Sequence, residues 1–212
     1  MSPLLVGLLG VLLVPLFVAT WRSSLVGLAC QGFLMTLIAY RLHPHPSTPE
    51  DWLRLTDLAV VRTVVAPLAL YAVLRGQNAP ARNDVIPPNL LSWTLAFGLV
   101  LVSFTFAEQL IPVAGDERTL VAVASAGVAL GFLVLASQSA PFSQMMGALR
   151  IENAIALLEL GSTRHESPLA ISLAVFAVFV TTVALFRWYL STLGPHAGPA
   201  ASQNPDAEGP TL

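Results

Sequence analysis

The chain has no lysine, a single cysteine and few charged residues of either sign. Only 10% of its 212 residues are Asp, Glu, Lys or Arg, whereas about a quarter of residues in soluble domains are charged, so the composition excludes an ordinary soluble domain. Cys30 has no second cysteine to pair with, which excludes intrachain disulfides and thiolate metal clusters. The net charge of −2 gives no indication of a nucleic-acid partner. Every basic residue is arginine, so any buried cation must stay protonated.

Hydrophobic residues make up 55% of the chain, and the mean hydropathy is +0.74. Seven apolar stretches have roughly the 17 to 25 residues that cross a bilayer as a helix. They predict an all-α polytopic membrane bundle of about seven transmembrane helices within residues 1–193. The stretches are 3–20, 24–42, 54–75, 90–111, 119–137, 142–160 and 168–190.

Proline, glycine and charged residues cluster between these stretches, because a membrane has no water to satisfy an irregular backbone. We therefore expect irregular backbone only in the loops, of which Trp21-Arg22-Ser23 is the first. The N-terminus lacks the basic region of a secretory signal, so the run from Leu4 to Thr20 should remain as the first membrane helix. Residues 194–212, rich in Pro, Gly, Ala and Ser, are predicted to be a disordered tail.

Two acidic residues lie in the sixth stretch, and Glu152 is close to its centre. A carboxylate there costs at least a few kcal/mol as an ion, so such groups face a protein interior or a water-filled cavity, often as part of an ion pathway. Glu159 is nearly two turns further on, on the same face and about 10 Å away. Neighbouring Asn153 can hydrogen-bond another helix. The alternatives are that Glu152 is a neutral structural acid and that Glu159 marks the aqueous end of its helix.

The third stretch carries Arg54, Asp57 and Arg62. Arg54 and Asp57 are three residues apart and can pair at the helix entry. Arg62 lies deeper, where it needs a carboxylate or free carbonyls unless it snorkels to a headgroup surface. Pro67 lacks an N–H, which leaves the carbonyl of Thr63 unpaired beside Arg62.

Other polar residues give weaker signals. Glu108, near the end of the fourth stretch, is either an interfacial anchor or a relay group. Thr182 in the seventh stretch is expected to bond back to its own helix. His43 and His45 lie in a Pro-rich loop, and two histidines alone are too few for a typical metal site. The sequence therefore predicts no catalytic residue, metal site or cofactor.

The stretch from Ser137-Gln138 through Gly147 to Glu152-Asn153 resembles the E membrane component of hydrogenase-4-type complexes, in which a Ser-Gln turn leads into a helix with a Gly and then a Glu-Asn pair. Residues 24–31 look like that family's second helix, and 57–70 look like its third. The similarity covers most of residues 20–190. The C-terminal half, about 119–190, is also similar to chain K of respiratory complex I and to the C-type component of multisubunit cation/proton antiporters. The membrane-embedded glutamate of chain K matches Glu152.

The chain departs from these families at two points. Arg62 stands where hydrogenase-4 component E commonly has a lysine, and residues 173–177 lack the second buried acid of chain K. Together with the polar residues of the apolar stretches, the resemblance predicts a proton relay of Glu152, Glu159 and Arg62, with Asp57, Asn153 and Glu108 as secondary candidates.

The resemblance also implies antiporter-like membrane subunits as partners in a lipid bilayer, with the redox centres in those partner chains. The location would be a bacterial inner membrane, with the N-terminus outside and the C-terminus cytoplasmic. The arginine count itself is four on each side and leaves the orientation open. Three alternatives remain: a structural linker without an ion path, a component of a cation/proton antiporter, and an independent solute transporter. An inverted repeat of broken helices, which would favour the transporter, is not evident in the sequence.

Overall fold

The computed structural model describes residues 3–17, 20–76, 90–161 and 169–193, and within these ranges the chain forms helices and short irregular segments, without strands. The all-α prediction is therefore confirmed for this part of the chain. The predicted tail, residues 194–212, lies outside it. The helices are α1 (Pro3–Phe17), α2 (Trp21–Leu42), α3 (Pro49–Gly76), α4 (Leu90–Leu110), α5 (Asp116–Ser137), α6 (Pro141–Gly161) and α7 (Leu169–Thr192).

Five of the helices in the described ranges are long and apolar enough to cross a membrane: α2, α3, α4, α5 and α7. This is the pattern of a multi-pass membrane protein. α1 has 15 residues, fewer than a typical span. α6 is a continuous helix, but its apolar sequence is interrupted by Arg150, Glu152 and Asn153. The predicted count of seven spans therefore stays a prediction.

Side-chain caps determine where α2 and α3 begin. Thr20 precedes α2, and its hydroxyl accepts a hydrogen bond from the backbone N–H of Ser23. The prediction of a loop over Trp21–Ser23 was therefore wrong, because this cap makes those residues the first turn of α2. At α3, Thr48 and Asp51 form a reciprocal capping box, and Pro49 occupies the first turn.

Small residues bring α5 and α6 into close contact. Gly127 and Gly131 are four residues apart on α5, the spacing that lets membrane helices approach closely. A Cβ atom on Gly127 would lie 2.9 Å from the Cβ of Ala154 on α6. On α6 itself, a Cβ on Gly147 would lie 3.1 Å from side-chain atoms of Val134 and Leu135. This interface holds α6, and with it Glu152 and Asn153, against the rest of the bundle.

α4 and α7 lie at the periphery, with α4 packed along α5 and α7 along α3. In the most apolar 18-residue stretch of each helix, only 17% of α4 and 11% of α7 is buried inside the protein. Both therefore present apolar surface to their surroundings, which a bilayer or a protein partner can cover.

Candidate functional site

The first structural feature of the site is a change of winding within α3. Residues Pro49–Thr56 and Ala66–Gly76 are α-helical, but Asp57–Val65 form a π-helix. The expectation that irregular backbone is confined to loops was therefore wrong. A π-helix still satisfies its backbone internally, through bonds between residues five apart, so the segment is compatible with an apolar environment.

The π winding sets the partners of the polar side chains. The Nε of Arg62 donates to Oδ2 of Asp57 at 2.6 Å, and the hydroxyl of Thr63 donates to the carbonyl oxygen of Leu58 at 2.6 Å. Both bonds join residues five apart, which an α-helix would place about 140° apart around its axis. The predicted pairing of Asp57 with Arg54 was wrong, because Asp57 pairs with Arg62. Arg62 is buried and Arg54 is partly exposed, so Arg62 has the greater need of a counter-ion.

Pro67 and Gly32 account for the position of this segment. The proline ring would clash with the carbonyl four residues earlier in an α-helix. The π-helix ends two residues before Pro67, and the N–H of Ala66 donates to Val61, five residues back. On the neighbouring α2, Gly32 leaves room for the segment. A Cβ there would lie 2.8 Å from the hydroxyl of Thr63 and 2.9 Å from the carbonyl carbon of Arg62.

Arg62 is the centre of the site and is only 1% exposed, so it does not snorkel to a surface. Besides its ion pair with Asp57, its Nη1 donates to Oδ1 of Asn153 on α6 at 2.8 Å. Its guanidinium carbon lies 3.9 Å from the ring centroid of Phe179 on α7. One side chain thus joins α3, α6 and α7 through an ion pair, a hydrogen bond and a cation–π contact.

Glu152 lies beside this group and is half-buried. Its Oε1 accepts a hydrogen bond of 2.9 Å from the hydroxyl of Thr182 on α7. Its Oε2 is buried and has no hydrogen-bond partner among the described residues. Glu152 directly precedes Asn153, and its partner Thr182 lies about one turn from Phe179, and both Asn153 and Phe179 contact Arg62. We call Asp57, Arg62, Glu152 and Asn153 the polar cluster.

The two remaining candidates lie outside the polar cluster. Glu159 lines a small cavity between α3, α6 and α7, towards the end of α6. Glu108 is at the C-terminal end of α4, its side chain is 66% exposed, and it pairs with Arg118 at 3.3 Å. The structure thus brings together Asp57, Arg62, Asn153 and Glu152, with Glu159 near one end, and leaves Glu108 on the surface.

Two contributors were missed in the sequence. Thr182 was expected to bond to its own helix, but its hydroxyl donates to Glu152 instead. Phe179 has no polar signal at all, and only its spacing of three residues from Thr182 could have placed both on one face of α7. Within the described ranges no group of three or more His, Cys, Asp or Glu side chains could hold a metal ion.

Comparisons of the chain with protein-family models, with curated proteins and with solved structures find no match.

Proposed function

We propose that this chain is an integral membrane subunit of a complex I-like or hydrogenase-4-like energy-converting complex, in which Glu152 carries a proton or another cation. The observation that carries the proposal is the polar cluster, in which the buried pair of Asp57 and Arg62 and its partner Asn153 lie next to the carboxyl group of Glu152 between apolar helices. Buried ionisable groups of this kind are expensive in a membrane and mark ion pathways. The proposal includes seven membrane crossings in a bacterial inner membrane, with the N-terminus outside.

The charge balance of the cluster supports Glu152 as the proton carrier. Asp57 neutralises Arg62 through their 2.6 Å contact, so Glu152 adds one negative charge that a single proton removes. A hydroxyl can either donate or accept a hydrogen bond. Thr182 can therefore stay bonded to Glu152 in both protonation states, which holds the carboxyl group in place during exchange.

The chain needs partners for a complete path. The hydrocarbon core is about 30 Å thick, and a short chain of side chains near Glu152 cannot cross it alone. The other stations, and the redox centres, would belong to neighbouring subunits such as antiporter-like chains. The apolar outer faces of α4 and α7 supply surface for such contacts.

One observation favours a different role, that of a structural linker. Arg62 is paired, hydrogen-bonded and stacked on Phe179 at the same time. A cation held by three helices can simply fasten them together. In that case Glu152 would be a neutral structural acid bonded to Thr182, and its replacement by glutamine would leave ion translocation unchanged.

The test compares Glu152→Gln with Glu108→Gln, an exposed carboxylate outside the cluster. The tagged chain is isolated from its native membrane to establish its partner subunits, and acidification of inverted vesicles is measured against a gene deletion. We expect both variants to assemble and only Glu152→Gln to lower proton translocation, by about tenfold or more, equivalent to about 1.4 kcal/mol on the barrier. Wild-type translocation in an assembled Glu152→Gln complex would favour the linker. A chain that co-purifies with no other membrane protein would contradict the proposal.

A further inference from the structure

A cavity at one end of the bundle is separate from the polar cluster. It lies where α1 and α5 begin and where α2 and α6 end, and its volume is about 500 Å³. Small-molecule sites have volumes of about 300 to 1,000 Å³, so this cavity is large enough for a ligand. Its floor consists of buried apolar side chains of the bundle core, which are Leu5, Ile38, Leu120 and Leu160. The deep part of the cavity therefore suits hydrocarbon.

Three charged side chains also line the cavity, and together they carry both signs. Arg41 is in the last turn of α2, and Asp116 and Glu117 are in the first turn of α5. All three are exposed, and none forms an ion pair with another described residue. α2 and α5 are long and apolar enough to cross a membrane, so charges at their ends lie at the level of the lipid headgroups. The cavity thus joins an apolar interior to charged groups at the membrane surface.

We infer that this cavity binds a phospholipid whose headgroup carries both a phosphate and an ammonium group, as phosphatidylethanolamine does. The guanidinium of Arg41 presents paired N–H donors that match the oxygens of a phosphate. An alkylammonium group has three N–H donors, and the carboxylates of Asp116 and Glu117 accept such bonds. The hydrocarbon of the lipid lies against the apolar floor. The inference does not depend on the proposed function or on the orientation of the chain in the membrane.

The signs of the charges select this occupant. A purely anionic headgroup would be attracted by Arg41 but repelled by the two carboxylates, and a purely cationic one would be repelled by Arg41. A zwitterionic headgroup places each of its charges beside the opposite sign. A helix of a partner protein is about 10 to 12 Å wide with its side chains, so the cavity would hold only about one turn of it. The cavity therefore fits a zwitterionic lipid better than an anionic lipid or a partner helix.

Lipid binding to the purified protein tests the headgroup. The tagged chain is isolated in detergent with the subunits that it retains, and it is mixed with equal amounts of phosphatidylethanolamine and phosphatidylglycerol that have identical acyl chains. Bound lipid is measured by native mass spectrometry. We expect the wild type to favour phosphatidylethanolamine about tenfold, equivalent to about 1.4 kcal/mol.

Charge-removing variants assign this preference to the three side chains. Arg41→Gln should weaken the binding of phosphatidylethanolamine about tenfold, whereas Arg22→Gln, at the opposite end of α2, should leave it unchanged. The double variant Asp116→Asn with Glu117→Gln should lose the preference for phosphatidylethanolamine. Glu108→Gln, a carboxylate outside the lining, should retain it.

A second pair of variants tests whether the lipid occupies the cavity itself. Leu42 lines the cavity and is 41% exposed, so Leu42→Trp adds bulk there without replacing a buried residue. Val26→Trp is the matched control, because Val26 is 61% exposed on the same helix and lies outside the lining. We expect Leu42→Trp to displace the bound phosphatidylethanolamine and Val26→Trp to retain it.

Three results would overturn the inference. Equal binding of the two lipids by the wild type would exclude a site for a zwitterionic headgroup. Unchanged binding in both Arg41→Gln and Leu42→Trp would place the lipid elsewhere. Soluble phosphoethanolamine, which lacks acyl chains, should compete only weakly, and competition at the same concentration as the lipid would indicate a site for a soluble ligand. The wild-type comparison needs no substitution, so it decides the headgroup even where a variant fails to fold.

Discussion

At the scale of single residues, the stability of the site depends mainly on Arg62. A permanent cation at 1% exposure is tolerated only because Asp57, Asn153 and Phe179 surround it. Removing one member of a buried pair leaves the other charge uncompensated, which costs more than the pair itself contributes. Replacing either Asp57 or Arg62 alone should therefore lower stability strongly, whereas replacing both with neutral residues should lower it much less.

We predict that Arg62→Gln lowers stability by about 3 to 5 kcal/mol, because it leaves the carboxylate of Asp57 buried alone. The double variant Arg62→Gln with Asp57→Asn should recover much of that loss. Arg118→Gln is the control, since its partner Glu108 is exposed and such surface pairs contribute up to about 1 kcal/mol. Thermal unfolding in detergent measures the effect. Equal melting temperatures for Arg62→Gln and Arg118→Gln would contradict the prediction.

The hydroxyl of Thr182 should matter for translocation and little for folding. Thr182→Val keeps the shape of the side chain and removes its bond to Glu152. Without this bond the carboxyl group is no longer held in the geometry for proton exchange, so we expect vesicle acidification to slow about fivefold, equivalent to about 1 kcal/mol on the barrier, and Thr182→Ser to restore it. The neighbouring Thr181 is exposed, so Thr181→Val is the matched control. A Thr182→Val chain that assembles and acidifies vesicles as fast as Thr181→Val would remove Thr182 from the site.

At the scale of elements, the π segment of α3 and the backbone of α2 depend on each other. Gly32 is the point of closest approach, where a Cβ would meet main-chain atoms of Arg62 and Thr63 at 2.9 Å. Main-chain atoms of a packed helix cannot move aside as a side-chain end can. The position of Arg62 therefore depends on a residue of another helix that has no side chain.

We predict that Gly32→Ala lowers stability by about 1 to 3 kcal/mol, as overpacking in a closely packed interior does. Gly98 on α4 provides the control, because a Cβ there meets nothing within 4 Å. Gly98→Ala should be neutral or stabilising by up to about 1 kcal/mol, since alanine has the higher helix propensity. Melting temperatures of the two variants in the same detergent test this. A Gly32→Ala protein as stable as Gly98→Ala would mean that α2 and α3 are not packed this closely.

At the scale of the whole molecule, the number of membrane crossings determines on which side each connection lies. The connection between α2 and α3 contains His45, and the connection between α5 and α6 contains Ser139. If every helix crosses the membrane and the N-terminus is outside, His45 lies outside and Ser139 lies on the cytoplasmic side. His45 and Ser139 are separated by α3, α4 and α5, each of which is long and apolar enough to cross a membrane.

The single cysteine makes this topology directly testable. In a Cys30→Ser background, we predict that His45→Cys reacts with a membrane-impermeant thiol reagent in intact cells. Ser139→Cys should react only after the membrane is opened. Labelling of both positions from the same side would contradict seven crossings, and the opposite labelling pattern would reverse the proposed orientation.

The sequence by itself determined the helical class, the approximate bounds of each helix and the residues that had to find polar partners. These follow from local properties: an apolar run of sufficient length, proline and glycine at its ends, and the cost of an ion in an apolar environment. It correctly indicated that Glu152 and Glu159 share a face of α6, because helical periodicity alone places them there.

Only the tertiary structure decided which groups meet. The pairing of Asp57 with Arg62 rather than Arg54 depends on the π winding of α3, and the parts played by Thr182 and Phe179 depend on how α7 is rotated against α3 and α6. Contacts between helices are determined by the packing of many side chains at once, including the space left at Gly32. No periodicity along a single helix contains that information.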